Sequence, residues 1–210
     1  MSLRHRILAA AVLAFLGVAA LASRPTLAAA DPANFIRDLG ESALTQLTGD
    51  VTPQQREQRF RELFTQNFDV PAIGRFVLGR YWNTATPDER AEFLKLFEDL
   101  IVQYYSNRFT EYSGEHFVVE GVRDAAGGST TVHSKVVQPN ASDNVRVDWR
   151  IRQNQDTYRI VDVLVEGVSM AVTQRAEFAS VIQSRGGKLT GLLDALREKT
   201  ARAEGQGTTQ

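Results

Sequence analysis

The sequence predicts an α+β domain in which helices cover one face of a four-stranded antiparallel meander sheet. Three observations predict it. Apolar residues recur at helical spacing through residues 34–112, alternate through 116–166, and return to helical spacing over 169–203. Turn-rich stretches at 124–129, 139–144 and 154–157 separate the alternating runs. Connections that short require hairpins, because a parallel crossover needs about a dozen residues or more. Helices, then a meander, then helices again is the order of an α+β fold with helices packed on one sheet face.

Ahead of this domain the chain opens with a basic head, Met1-Ser2-Leu3-Arg4-His5-Arg6. An apolar run follows over 7–22, broken only by Gly17, and then the small-residue stretch Thr26-Leu27-Ala28-Ala29-Ala30 before Asp31-Pro32. These are the three parts of a secretory signal peptide, with cleavage expected after Ala30 and, as the alternative, after Ala22. The apolar run falls short of the roughly 18 to 20 residues that span a bilayer, which weighs against a membrane anchor. The expected organisation is therefore a signal peptide at 1–30, one domain at 31–203 and a disordered tail at 204–210. About 180 mature residues are enough for a substantial core. Removal of Arg4, Arg6 and Arg24 takes the formal net charge from −1 to about −4. A mildly acidic domain is a poor ligand for nucleic acid or for anionic bilayers. The absence of cysteine excludes disulfides, thiol nucleophiles and Cys-ligated zinc together.

The helices are legible one by one. Phe35, Leu39, Ala43 and Leu47 make a stripe over 34–47. Thr52-Pro53-Gln54-Gln55 supplies a capping hydroxyl, a proline at the first helical position and a Gln to close the capping box. The helix it opens carries Phe60, Leu63, Phe64 and Phe68 on one side. A short apolar helix is expected over 71–78, stopped by Gly79. Thr86-Pro87-Asp88-Glu89 repeats the capping pattern, with acids at the positive helix end. The long helix it starts, over 87–112, buries Phe93, Leu96, Phe97, Leu100, Ile101, Tyr104 and Tyr105. Two closing helices, 169–184 and 188–203, flank Gly186-Gly187.

Four strands are expected at 116–123, 130–138, 145–153 and 158–166. In the third, Val145, Val147, Trp149 and Ile151 share one face, while Arg146, Asp148, Arg150 and Arg152 share the other. That pattern describes a sheet with one covered and one wet face.

Chemical motifs are scarce. The sequence contains no Gly-Lys-Ser phosphate loop, dinucleotide glycine fingerprint, nucleophile elbow or His-Glu-x-x-His helix. His116 and Glu120 fall on one strand face, where a surface pair is expected rather than a metal site. His133 shares a solvated face with Thr131 and Lys135. Asp148 alternates with arginines, as a cross-strand ion pair on the wet face would. Asp162 shares a strand parity with Tyr158, Ile160 and Leu164; a carboxylate in such apolar company could act as a general base. The largest resource is apolar: Phe76, Val77 and Leu78, the aromatic stripe of the long helix, and the inner sheet face. Periodicity alone does not separate a filled core from a lined cavity.

Ile73-Gly74-Arg75-Phe76-Val77-Leu78-Gly79-Arg80-Tyr81-Trp82, followed by Thr86-Pro87-Asp88-Glu89-Arg90 and Phe93, resembles the MlaC family of periplasmic phospholipid-binding proteins, also called toluene-tolerance auxiliary proteins. The likeness continues through Tyr112-Ser113-Gly114-Glu115, Val147-Asp148-Trp149-Arg150 and Ile160-Val161-Asp162-Val163. It ends with Val165-Glu166-Gly167-Val168-Ser169-Met170, then Arg175, Glu177-Phe178, Gly187 and Gly191-Leu192-Leu193, and so runs in order through nearly the whole domain. Asn83, where a basic residue is expected, is a minor departure.

The resemblance implies an NTF2-like fold whose sheet and helices enclose a deep apolar pocket for a phospholipid. The pocket residues expected on that basis are Ile73, Phe76, Val77, Phe97, Val147, Trp149, Val163 and Val165. It further implies a periplasmic shuttle between an outer-membrane lipoprotein complex and an inner-membrane ABC transporter with its substrate-binding subunit, maintaining outer-membrane lipid asymmetry. No catalytic residue, metal or other cofactor is expected. An NTF2-like small-molecule enzyme using Asp162 and an exported binder of apolar solvents are the competing readings. Gly74, Gly79 and Gly186-Gly187 are the hinge candidates for opening such a pocket.

Overall fold

Side-chain oxygens and prolines start most of the helices. The structure, a computed structural model, describes residues 31–111, 114–125, 127–139, 144–154 and 157–207, with side chains described through 202. The signal peptide at 1–30, Tyr112-Ser113 of the family pattern, and residues 208–210 of the tail lie outside the described residues. Asp31 caps α1 (Pro32–Leu47) by accepting from the Ala33 amide at 2.9 Å. Thr52 and Gln55 form the expected capping box on α2 (Pro53–Asn67), and Thr86 and Glu89 form the second on α5 (Pro87–Ser106). Asp69 caps α3 (Val70–Leu78) through the Ala72 amide at 3.1 Å. Beyond Gly79 a further short helix, α4 (Arg80–Thr84), was not anticipated. The long helix ends earlier than its apolar stripe suggested, passing into a 3-10 turn at Asn107–Glu111. The closing helices are α6 (Met170–Ser184) and α7 (Leu189–Gly207). Thus α7 continues past Ala203, where a disordered tail was expected to begin.

The sheet is antiparallel throughout, in the order β1 (His116–Ala125), β2 (Ser129–Val137), β3 (Val145–Asn154), β4 (Thr157–Val165) and β5 (Val168–Ser169). Among the described residues it therefore has five strands, not four. The extra strand comes from a two-residue turn, Glu166-Gly167, in which both residues have positive φ (50° and 79°). Turns of that kind match the twist of a hairpin and fold β5 back onto β4. Glu166 is held in this conformation by Arg146: its amide donates to the Arg146 carbonyl at 3.0 Å, and its carboxylate accepts from the Arg146 amide at 2.5 Å.

Two irregularities change which residues share a face. In β1 the register slips between Val119 and Gly121, and in β4 one residue, Val161, is extra opposite Arg150 and Ile151. A bulge shifts side-chain parity by one. Tyr158 and Ile160 therefore join Val163 and Val165 on the face of Trp149, whereas Asp162 and Leu164 lie on the opposite face with Arg150 and Asp148. The expectation that Asp162 shares a face with Tyr158 and Ile160 is corrected accordingly.

Apolar side chains gather in two separate clusters. The helical cluster contains 18 buried residues from α2 to α7, among them Phe93 and Phe97, whose rings meet the edge of Phe178 at 5.7 and 6.1 Å. Among the described residues the sheet-side cluster has four that are buried, Ile36, Val132, Ile151 and Ile160, surrounded by eight that are partly exposed. Helix α1 contributes Phe35, Ile36 and Leu39 to it and lies across β1 and β2. The layers are tied at β4, where the Asp69 amide donates to the Ile160 carbonyl at 2.9 Å and Phe68 bridges to Ile160 in parallel. Arg159 reinforces that junction by donating to the last carbonyls of α2, at Thr65 and Gln66.

Candidate functional site

The inner sheet face is built from register pairs. Trp149 lies opposite Val163, and Val147 lies opposite Val165, one step further along the same face of β3 and β4. The indole is fixed rather than free: its Nε1–H donates to Ser134 Oγ at 2.9 Å, and that hydroxyl donates to the Val147 carbonyl at 2.7 Å. Phe117 meets the indole edge-on at 6.1 Å. Trp149 and Val163 belong to the sheet-side cluster and are half-buried, as are Val147 and Val165, which stand outside both clusters.

The remaining expected site residues sit elsewhere. Ile73, Val77 and Phe97 are buried within the helical cluster. Phe76 is 42% exposed on the outer side of α3, with the Arg175 guanidinium 5.2 Å from its ring centroid. The eight residues thus form three groups: a sheet-face quartet, a helical-core trio and one surface aromatic. Sequence reading missed Ser134, the polar residue that orients Trp149. Its only signal was a serine alternating with Val132 and Val136 on an otherwise apolar strand face.

The opposite sheet face carries charge. Asp148 accepts from His133 Nδ1 at 2.9 Å and lies 3.5 Å from Arg146 Nε; it is only 6% exposed, not solvated as expected. Its neighbours across the strands cover it. Glu120 pairs with Lys135 Nζ at 2.6 Å. Asp162, also 6% exposed, accepts from Ser169 Oγ at 2.6 Å, from the Ala171 amide at 3.1 Å and from Arg150 Nη1 at 3.2 Å. Two of those donors belong to the start of α6, so this carboxylate anchors a helix N-terminus to the sheet. Among the described residues no group of three or more His, Asp and Glu side chains is arranged to hold a metal ion.

Two surface depressions are open to solvent. One, of about 370 Å³, is lined by Arg80, Tyr81, Thr84, Gln183 and Gly187. The other, of about 420 Å³, lies between α2, α3 and α5 and is lined by Thr65, Phe68, Val70, Pro71, Leu94, Lys95 and Glu98. Each is smaller than the roughly 1,000 Å³ that a two-chain lipid requires. No described helix is long and apolar enough to cross a membrane.

Comparison with known proteins places this geometry in context. A family model described as MlaC protein matches residues 41–198. The intermembrane phospholipid transport system binding protein MlaC of Haemophilus influenzae is 20% identical over 183 residues, covering 83% of this chain and 86% of that protein. The toluene tolerance protein ttg2D of Pseudomonas putida is 22% identical over 185 residues, covering 80% and 82%. A phospholipid-binding protein from Ralstonia solanacearum, solved in complex with a phospholipid, superposes with a TM-score of 0.74 at 23% identity. That superposition covers 83% of this chain and 99% of the other, and it shows a shared fold.

Proposed function

Because the chain belongs to the MlaC family, we propose that it is a periplasmic carrier that holds a phospholipid against the inner face of its sheet. The observation that carries this reading is the unequal core. In the helical cluster buried residues outnumber partly exposed ones by eighteen to seven, whereas in the sheet-side cluster partly exposed ones outnumber buried ones by eight to four. Water against Trp149, Val163, Val147 and Val165 is unfavourable, and hydrocarbon is the group that would complete the burial. The solved relative in complex with a phospholipid supports the ligand class.

The energetics suit a carrier. Each methylene removed from water contributes about 0.8 kcal/mol, so two acyl chains gain on the order of 20 kcal/mol. A bilayer offers nearly the same gain, so the protein has only to match the membrane for hand-over to be near thermoneutral. The head group stays in water and needs few polar contacts, which accounts for the lack of a chemical motif. In this reading the partners are an outer-membrane lipoprotein complex and an inner-membrane ABC transporter with its substrate-binding subunit. The lipid moves between them to maintain outer-membrane asymmetry. The pocket belongs to an NTF2-like arrangement of sheet and helices, and no step requires catalysis. Native mass spectrometry of gently purified protein tests the proposal. Stoichiometric co-purified phospholipid is the expected result, and a uniformly empty protein that takes up none from vesicles would overturn it.

A further inference from the structure

Phe68 stands where three features meet. It packs against the helical cluster, its ring 4.8 Å from that of Phe64; it packs against the sheet-side cluster; and it lines the cleft of about 420 Å³ between α2, α3 and α5. Among the described residues no other belongs to both clusters. Its backbone is pinned, because its amide donates to the Phe64 carbonyl and the next amide donates to Ile160, both at 2.9 Å. Movement at this point is therefore a matter of the side chain, and the half-buried ring separates an apolar interior from an apolar surface strip.

The charged groups beside that strip are engaged with one another. Glu98 and Asp99 both accept from Arg61 Nη1, at 2.7 and 2.8 Å, and Lys95 reaches Asp99 at 2.8 Å. What they leave in the cleft is Phe68, Val70, Pro71 and Leu94 beside Thr65, whose hydroxyl is turned to the Arg61 carbonyl at 2.8 Å, a surface that offers burial and few polar contacts. Such a surface selects hydrocarbon over a head group, which would have to displace these ion pairs.

We propose that this cleft is a terminal subsite for an acyl chain: the methyl end of a long chain held in the interior passes the Phe68 ring and lies along Val70, Pro71 and Leu94. The inference rests on the carrier reading above. Phe68 then acts as a chain-length selector. Short chains end inside it, and longer ones swing the ring aside, a rotamer change that is fast compared with lipid exchange.

The test uses the full mature protein loaded with phosphatidylglycerol bearing a diazirine at the end of one long acyl chain. Crosslinks to Phe68, Val70 or Leu94 are expected. In Thr65→Trp, which fills the cleft from the exposed side of α2, those crosslinks should disappear. Retention of long-chain over short-chain lipid should also fall by about fourfold for each methylene displaced. Crosslinks confined to Trp149, Val163 and other interior positions, unchanged by Thr65→Trp, would overturn the subsite while leaving the carrier intact. Absence of bound lipid from both proteins would overturn the carrier reading and the subsite with it.

Discussion

Asp162 and Val147 lie on adjacent strands and on opposite sheet faces, and they fail in opposite ways when changed. Asp162 accepts from Ser169, Ala171 and Arg150 at the foot of α6. Asp162→Asn keeps an oxygen for the Ala171 amide but loses the charge that faces Arg150 and the positive helix end. A loss of about 1–2 kcal/mol is expected, which in a domain of this size lowers the melting temperature by roughly 2–8 °C. Phospholipid content should be unchanged. A variant that melts normally yet has lost its lipid would place Asp162 in the ligand site instead. Val147→Asp is the converse. Its side chain is half-buried opposite Val165 on the proposed lipid face, so the delipidated protein should tolerate the carboxylate. A hydrocarbon chain should not, because it would bury an unpaired charge. The expected outcome is a near-normal melt of the delipidated variant together with loss of co-purified lipid, both read on one preparation.

At the scale of elements, the joint between α3 and α4 is set by Gly79, with φ 54° and ψ −124°, a conformation essentially reserved for glycine. An added Cβ there would also meet Arg175 Nε at 2.9 Å, disturbing the guanidinium that lies over Phe76. Gly79→Ala should therefore cost about 1–3 kcal/mol, seen as a melting temperature lowered by several degrees. Gly74, the other hinge candidate in α3, is buried, and a Cβ on it would strike Leu94 Cδ2. It permits α3 and α5 to approach, which is a packing role. Helix starts were readable because each rests on a few adjacent residues: Thr52 with Gln55, Thr86 with Glu89. The sheet faces were readable on β3, where valines and arginines alternate cleanly. They were not readable on β4, because residues 158–165 are apolar in both parities apart from Arg159 and Asp162, so nothing local marks Val161 as the extra residue. The site suffered the same limit. Trp149 and Val147 follow from the alternation of β3, Val163 and Val165 take the same face only through their register with it, and Phe68, the capping residue at the end of α2, earns its position only through contacts with two distant layers. Phe76 has the composition of a pocket residue, but the turn of α3 that buries Val77 puts its neighbour outside.

For the whole molecule, the split core makes stability depend on cargo. The helical cluster has eighteen buried residues to seven partly exposed ones, while the sheet-side cluster has four to eight. A ligand that binds only the folded protein stabilises it by mass action, by about 2.7 kcal/mol when present at a hundred times its dissociation constant. Lipid-loaded protein should then melt roughly 5–10 °C above delipidated protein. The increment should be reversible on reloading from vesicles and absent in Val147→Asp. Hydrogen exchange should locate it. Amides of β3, β4 and α1 should gain protection on loading, because they border the sheet-side cluster. Those of α5 and α7, which pack against each other in the helical cluster, should change little. Uniform protection across all elements would mean that lipid acts through global stability alone. Protection confined to α5 and α7 would move the cargo into the helical layer, where Ile73, Val77 and Phe97 would have to part to admit it.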